Sequence, residues 1–124
     1  YINHLGTSSV LLDPLYFGAG NSFHESMVYG TPTVTMPTKF IKSRIVCAAY
    51  KQMEIDNPPI VKNKNEYVEL AIDIANNENL LEIKKHYQKK AIEKLFNTTK
   101  AGEEFNQILL NLYQWSFKTL YCIF

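Results

Sequence analysis

The stretch that decides the fold runs from residue 9 to residue 37. It reads Ser9-Val10-Leu11-Leu12-Asp13-Pro14, then Tyr16-Phe17-Gly18-Ala19-Gly20-Asn21-Ser22, then Phe23 to Tyr29 and Gly30, and closes on Pro32-Thr33-Val34-Thr35-Met36-Pro37. Ser9 to Asp13 is a short apolar run. Pro14 ends it, because proline has no amide hydrogen and biases its predecessor away from helix. The glycine-rich loop that follows leads into a short helix, Phe23 to Tyr29, with Phe23 and Met27 on one face. Asn21 or Ser22 is placed to cap its start. Gly30 stands where a left-handed cap is favoured. Pro32 to Pro37 then reads as a second strand bracketed by prolines, and a loop runs through Thr38 to Lys42.

Downstream the pattern becomes helical. Between Ser43 and Met53, Val46, Ala49, Tyr50 and Met53 fall at the i, i+3, i+4, i+7 spacing of one amphipathic face. Asn57-Pro58-Pro59 breaks that helix, and Pro59-Ile60-Val61 fits a brief third strand. Asn63 and Glu66 form a capping pair, followed by the stripe Val68, Ala71, Ile72, Ala75. From Leu80 to Phe96 the apolar side is Leu80, Ile83, Tyr87, Ala91 and Leu95. The opposite side carries Lys84, Lys85, Lys89, Lys90 and Lys94, interspersed with Glu82 and Glu93, as on a solvated face. A last helix, about Thr99 to Phe117, is expected to bury Ala101, Phe105, Ile108, Leu112 and Trp115.

Strand, loop, helix, strand, loop, helix is the alternation of a parallel α/β sheet. With only two or three strands, the chain predicts a partial Rossmann-like sheet ending in several helices, with the remaining strands upstream of Tyr1. The chain opens on Tyr1 rather than Met, and a strand-like pattern begins almost at once. A piece of a longer protein is therefore expected. In such sheets ligands sit beyond the carboxyl ends of the strands, which here are the loops Pro14 to Asn21 and Pro37 to Lys42.

Composition narrows the class. The 124 residues are 46% hydrophobic and 20% charged, enough to bury a core. Thirteen Lys plus Arg against twelve Asp plus Glu leave a net charge of +1, without the basic excess of an electrostatic nucleic-acid binder. All thirteen basic residues fall from Lys39 onward, and the first 38 residues carry only Asp13 and Glu25 as charges. Such a stretch is either the most buried third of a domain or a loop that works through backbone amides, and the two are compatible. Cys47 and Cys122 have no Cys-x-x-Cys or Cys/His spacing, so neither a disulfide scaffold nor a zinc site is indicated, and a reducing, cytoplasmic setting fits. No apolar run reaches the roughly 20 residues of a membrane span, and no signal peptide opens the chain.

Gly18-Ala19-Gly20-Asn21-Ser22 lies between a strand and a helix. Glycine lets a backbone approach a ligand without an intervening side chain. A helix start supplies unpaired amides and the positive end of the dipole. Asn21 and Ser22 can add side-chain hydrogen bonds to phosphate oxygens. Glu25, one turn on, can accept from a ribose diol. The turn lacks the G-x-G-x-x-G spacing and the Walker lysine, and it reads equally as a plain structural connection.

The order Val10-Leu11-Leu12-Asp13-Pro14, Phe17-Gly18-Ala19-Gly20-Asn21-Ser22, Glu25-Ser26-Met27-Val28-Tyr29-Gly30-Thr31-Pro32-Thr33-Val34-Thr35-Met36-Pro37 resembles the C-terminal catalytic half of O-linked N-acetylglucosamine transferases, and more closely the bacterial SPINDLY-like proteins. The similarity continues through Ser43-Arg44, Tyr50-Lys51-Gln52-Met53 and Glu66-Tyr67-Val68-Glu69-Leu70-Ala71, over roughly residues 8 to 113. It implies the second half of the C-terminal domain of a GT-B glycosyltransferase for residues 1–114, with an apolar tail over 115–124. It further implies a UDP-sugar donor, UDP-N-acetylglucosamine by preference, a protein Ser/Thr acceptor, and no metal or other cofactor. The missing half-domain, an N-terminal GT-B domain and tetratricopeptide repeats would be its partners, with no nucleic acid or membrane. By the same resemblance Gly20, Asn21 and Ser22 hold the diphosphate and Glu25 the ribose, and no catalytic residue falls in this chain. Many members carry Thr-Thr where this chain has Asn21-Ser22, and Asp in place of Glu25. The alternative is a non-catalytic nucleotide-sugar-binding or scaffold domain attached to the repeats.

Arg44, with Lys39 and Lys42, sits at the second strand-end loop, either as a further phosphate contact or as an ordinary charged helix start. His24 reads as packed or solvated rather than as a base. His4 and His86 have no partner pattern. Asn97-Thr98-Thr99 matches a glycosylation acceptor without the secretory signal that would give it meaning.

Overall fold

The structure, a computed structural model, describes the backbone of residues 1–121 and the side chains of residues 1–114. It is α/β, with two parallel strands and a majority of helix. The chain runs α1 (Ile2–Thr7), β1 (Leu11–Leu12), α2 (Asn21–Met27), β2 (Thr33–Val34), α3 (Ile45–Gln52), α4 (Lys64–Ala75), α5 (Leu80–Lys90) and α6 (Thr99–Tyr121). A 3-10 turn over Ile41–Ser43 precedes α3, and a π turn over Ala91–Leu95 extends α5. The strand-like opening expected near Tyr1 is instead α1, whose Leu5 is its one buried side chain. Six residues with a single core contact carry too little periodicity to separate helix from strand.

β1 and β2 pair in parallel, Leu11 against Thr33 and Leu12 against Val34. The third strand is reduced to one parallel bridge, Thr35 to Ile60, closed by Thr35 N–H to the Pro59 carbonyl (3.0 Å) and Val61 N–H to the Thr35 carbonyl (2.9 Å). It goes no further towards Thr33, because Asn57-Pro58-Pro59 offers few donors and Asn57 itself has φ +48°. Tyr50 substitutes for the absent strand: its hydroxyl accepts from Thr33 N–H at 2.7 Å and donates to the Thr33 carbonyl at 3.0 Å.

The core lies between the sheet, α2, α3 and α5. Val46, Tyr50 and Met53 of the α3 stripe are fully buried, with Ala49 nearly so, as their spacing predicts. Phe23 meets the Tyr50 ring edge-on at 5.3 Å, and Tyr50 meets Tyr87 at 5.8 Å. Such aromatic pairs add about 0.5–1.5 kcal/mol each beyond their area. Gly30 has φ +67°, and a Cβ there would overlap the Lys84 carbonyl. The glycine therefore lets α5 rest directly on the α2–β2 connection.

Four expectations are corrected. α2 starts at Asn21 with Gly20 in the N-cap position, so neither Asn21 nor Ser22 is the cap. Val68 and Ile72 of the α4 stripe are more than half exposed, beside an equally open Leu12, because no described element covers that side of β1. Phe105, Ile108 and Leu112 of α6 are exposed for the same reason. Trp115 and the side chains of the 115–124 tail, with Cys122, lie outside the described residues, and α6 crosses position 115 as one helix. Lys84 leaves the solvated lysine face: its Nζ donates to the Gly6 and Ser8 carbonyls at 2.7 and 2.9 Å, where a cation meets the C-terminal end of α1. Burial lowers its pKa.

Candidate functional site

Both strands end in loops that are tied together. Gly18 N–H donates to the Lys42 carbonyl at 2.9 Å, and a Cβ on Gly18 would come within 2.8 Å of that oxygen. In the second loop, Ser43 Oγ accepts from Thr38 N–H at 3.0 Å and donates to the Phe40 carbonyl at 2.9 Å.

Asp13 anchors the arrangement. It is 3% exposed. One carboxylate oxygen accepts Ala19 N–H and the other accepts the Thr35 hydroxyl, both at 2.5 Å. Its carbonyl accepts the Tyr67 hydroxyl at 2.8 Å. Burial, and then the Asp13 charge, pushes the Tyr67 pKa up to about 12. In the sequence Asp13 stands out only as the end of the first strand, ahead of Pro14. The available signal was its charge, one of two in the first 38 residues.

The two glycines of the turn do different work. Gly18 is structural, packed against the Lys42 carbonyl. Gly20 has nothing within 4 Å of the position a Cβ would take. It faces an open cavity of about 510 Å³ lined by Pro14, Phe17, Gly18, Asn21, Ser22 and Ile45 among others. No side chain caps α2, so the first amides of that helix have no acceptor of their own.

Of the residues singled out in the sequence, Gly20, Asn21 and Ser22 come together on this cavity. Glu25 does not line it. It is half-buried one turn along α2, where the Tyr1 phenol lies beside both Glu25 and Ser22. Tyr1 has a raised pKa, first through lost solvation and then through the Glu25 carboxylate. Glu25 therefore stands off the cavity rim, and the neighbour it shares with Ser22 is Tyr1, a contact between positions too far apart in the chain for sequence spacing to signal. Arg44 lines a separate cavity of about 620 Å³ with His24, Lys39 and Ile41, which meets the first at Ile45. His24 Nδ1 is 3.0 Å from the Gly20 carbonyl, a packing role. Among the described residues no group of three or more His, Cys, Asp or Glu side chains is placed to hold a metal, and no helix is long and apolar enough to cross a membrane.

No protein-family model and no curated protein matches this chain.

Proposed function

We propose that the chain is part of a UDP-sugar-dependent GT-B glycosyltransferase, which transfers N-acetylglucosamine from UDP-N-acetylglucosamine to protein Ser/Thr hydroxyls. It contributes the diphosphate contacts at Gly20, Asn21 and Ser22 and the ribose contact at Glu25. The observation that carries the reading is the open space at Gly20, set at the carboxyl end of a parallel strand pair and in front of an uncapped helix start. Packing against the Lys42 carbonyl requires Gly18, whereas the space beside Gly20 is left open to the cavity. The resemblance described above supplies the sugar and the acceptor. Chemically, open amides and the Ser22 hydroxyl can stabilise the charge that grows on a diphosphate leaving group.

The test is transfer of labelled N-acetylglucosamine by the full-length protein, compared with Asn21→Ala/Ser22→Ala. Loss of transfer with an unchanged melting temperature supports the reading. UDP binding without any transfer would favour the non-catalytic nucleotide-sugar-binding domain instead.

A further inference from the structure

The cavity that holds Arg44 has a chemistry of its own. Its cations are Lys39 and Arg44, both exposed. Among the described residues the ion pairs are Lys85–Glu82, Lys89–Glu93, Lys94–Glu54 and Lys100–Glu104, so neither cation has a carboxylate partner; Lys39 Nζ lies over the Phe40 ring at 5.3 Å, and no carboxylate lines the cavity. Ile41, Ile45 and Leu95 give it an apolar lining, with Ile41 86% exposed at its edge. Gln52 Nε2 is already engaged by the Lys94 carbonyl at 3.0 Å, which leaves its Oε1 as an acceptor at the groove. Cations without a carboxylate partner call for an anion, exposed isoleucines for an aliphatic group, and a lone acceptor for an N–H. A polypeptide segment supplies all three, whereas a simple anion leaves the isoleucines and Gln52 uncovered. At about 620 Å³ the space is within the range of about 300–1,000 Å³ typical of ligand clefts.

We infer that this groove docks a polypeptide segment bearing an Asp or Glu beside an aliphatic residue, the carboxylate on Arg44 and Lys39 and the aliphatic side chain over Ile41 and Ile45. That the segment belongs to the acceptor protein rests on the transferase reading above; the docking itself does not.

The probe is a fluorescein-labelled Ala-Ala-Glu-Leu-Ser-Glu-Leu-Ala-Ala peptide, read by fluorescence anisotropy against its counterpart with both glutamates replaced by glutamine. The acidic peptide is expected to bind at least tenfold more tightly than its counterpart. Lys39→Gln/Arg44→Gln should abolish that difference, and Ile41→Ser should weaken binding with circular dichroism unchanged. Equal binding of the two peptides overturns the proposal, as does no binding to a protein of native circular dichroism. Binding of octyl phosphate but of neither peptide would assign the groove to a small organic anion, which also overturns it. UDP titrated into the same samples separates the two claims. Peptide binding without UDP binding leaves the docking standing and removes the transferase reading. A tenfold loss of UDP affinity in Arg44→Gln would assign Arg44 to the diphosphate instead and overturn the docking.

Discussion

The carboxylate of Asp13 accepts the Ala19 amide at 2.5 Å, so the residue that follows β1 holds the turn that faces the candidate site. The same side chain reaches across to Thr35, the bridge residue just past β2. The position of the glycine turn is thus set by the buried Asp13 carboxylate together with the close packing of Gly18 on the Lys42 carbonyl. Hydrogen bonds to charged groups contribute more than neutral ones, and a buried donor left without its acceptor is costly.

Replacing Asp13 should therefore be severe. Asp13→Ala leaves the Ala19 amide and the Thr35 hydroxyl without their acceptor, and a loss of about 3 kcal/mol is expected. Asp13→Asn keeps one acceptor and should cost less. Urea denaturation of the two variants checks both the size and the order.

The glycines give a sharper contrast. Gly30→Ala forces a side chain onto a left-handed backbone and into the Lys84 carbonyl, and at least about 2 kcal/mol should be lost. Gly20→Ala meets open space and should stay within about 1 kcal/mol of the parent. Equal destabilisation by the two would show that the Gly20 environment is wrongly described.

The buried tyrosines set an alkaline limit. Burial raises the Tyr50 pKa well above its ordinary value and pushes Tyr87 to about 12. The unfolded chain releases these protons near pH 10 while the folded chain keeps them. Their contribution is complete below pH 10 and is lost as pH rises towards 12. Tyr87→Phe should flatten the decline in stability between pH 10 and 12, measured by denaturant unfolding. Tyr50→Phe should do the same and also cost about 1–3 kcal/mol at neutral pH, since it strips both partners from Thr33.

Lys84 holds α1 through the Gly6 and Ser8 carbonyls. Lys84→Ala should release α1 selectively, speeding hydrogen exchange at the Leu5 and Ser8 amides while α3 keeps its protection. Uniform acceleration across the chain would mean that the lysine supports the whole fold instead.

Local order was the part readable from sequence. The α3 stripe, the Gly30 cap, the Asn63–Glu66 capping pair and the parallel strand alternation all rest on contacts within a few residues, or on periodicity. The Asn63 side chain does accept Glu66 N–H, at 2.9 Å. What was not readable depends on partners far away in the chain. Tyr50 was read as a core residue by its spacing, but its bond to Thr33 spans 17 positions. Lys84 matched its exposed neighbours in every sequence property, and only the approach of α1 draws it inward. The apolar stripes of α4 and α6 predict burial that the structure does not show: Val68, Ile72, Phe105, Ile108 and Leu112 are all more than half exposed. For the candidate site, the grouping of Gly20, Asn21 and Ser22 was legible from the turn. The separation of Arg44 into a second cavity was not, because it follows from how the 3-10 turn presents the start of α3.

The most direct test of the central claim is a calorimetric titration of UDP into the full-length protein, beside Ser22→Ala and Glu25→Ala. Measurable binding is expected, weakened about tenfold or more in each variant by the loss of a charged or polar contact of about 1.4 kcal/mol or more. Unchanged UDP affinity in both variants, with the fold intact, would contradict the claim.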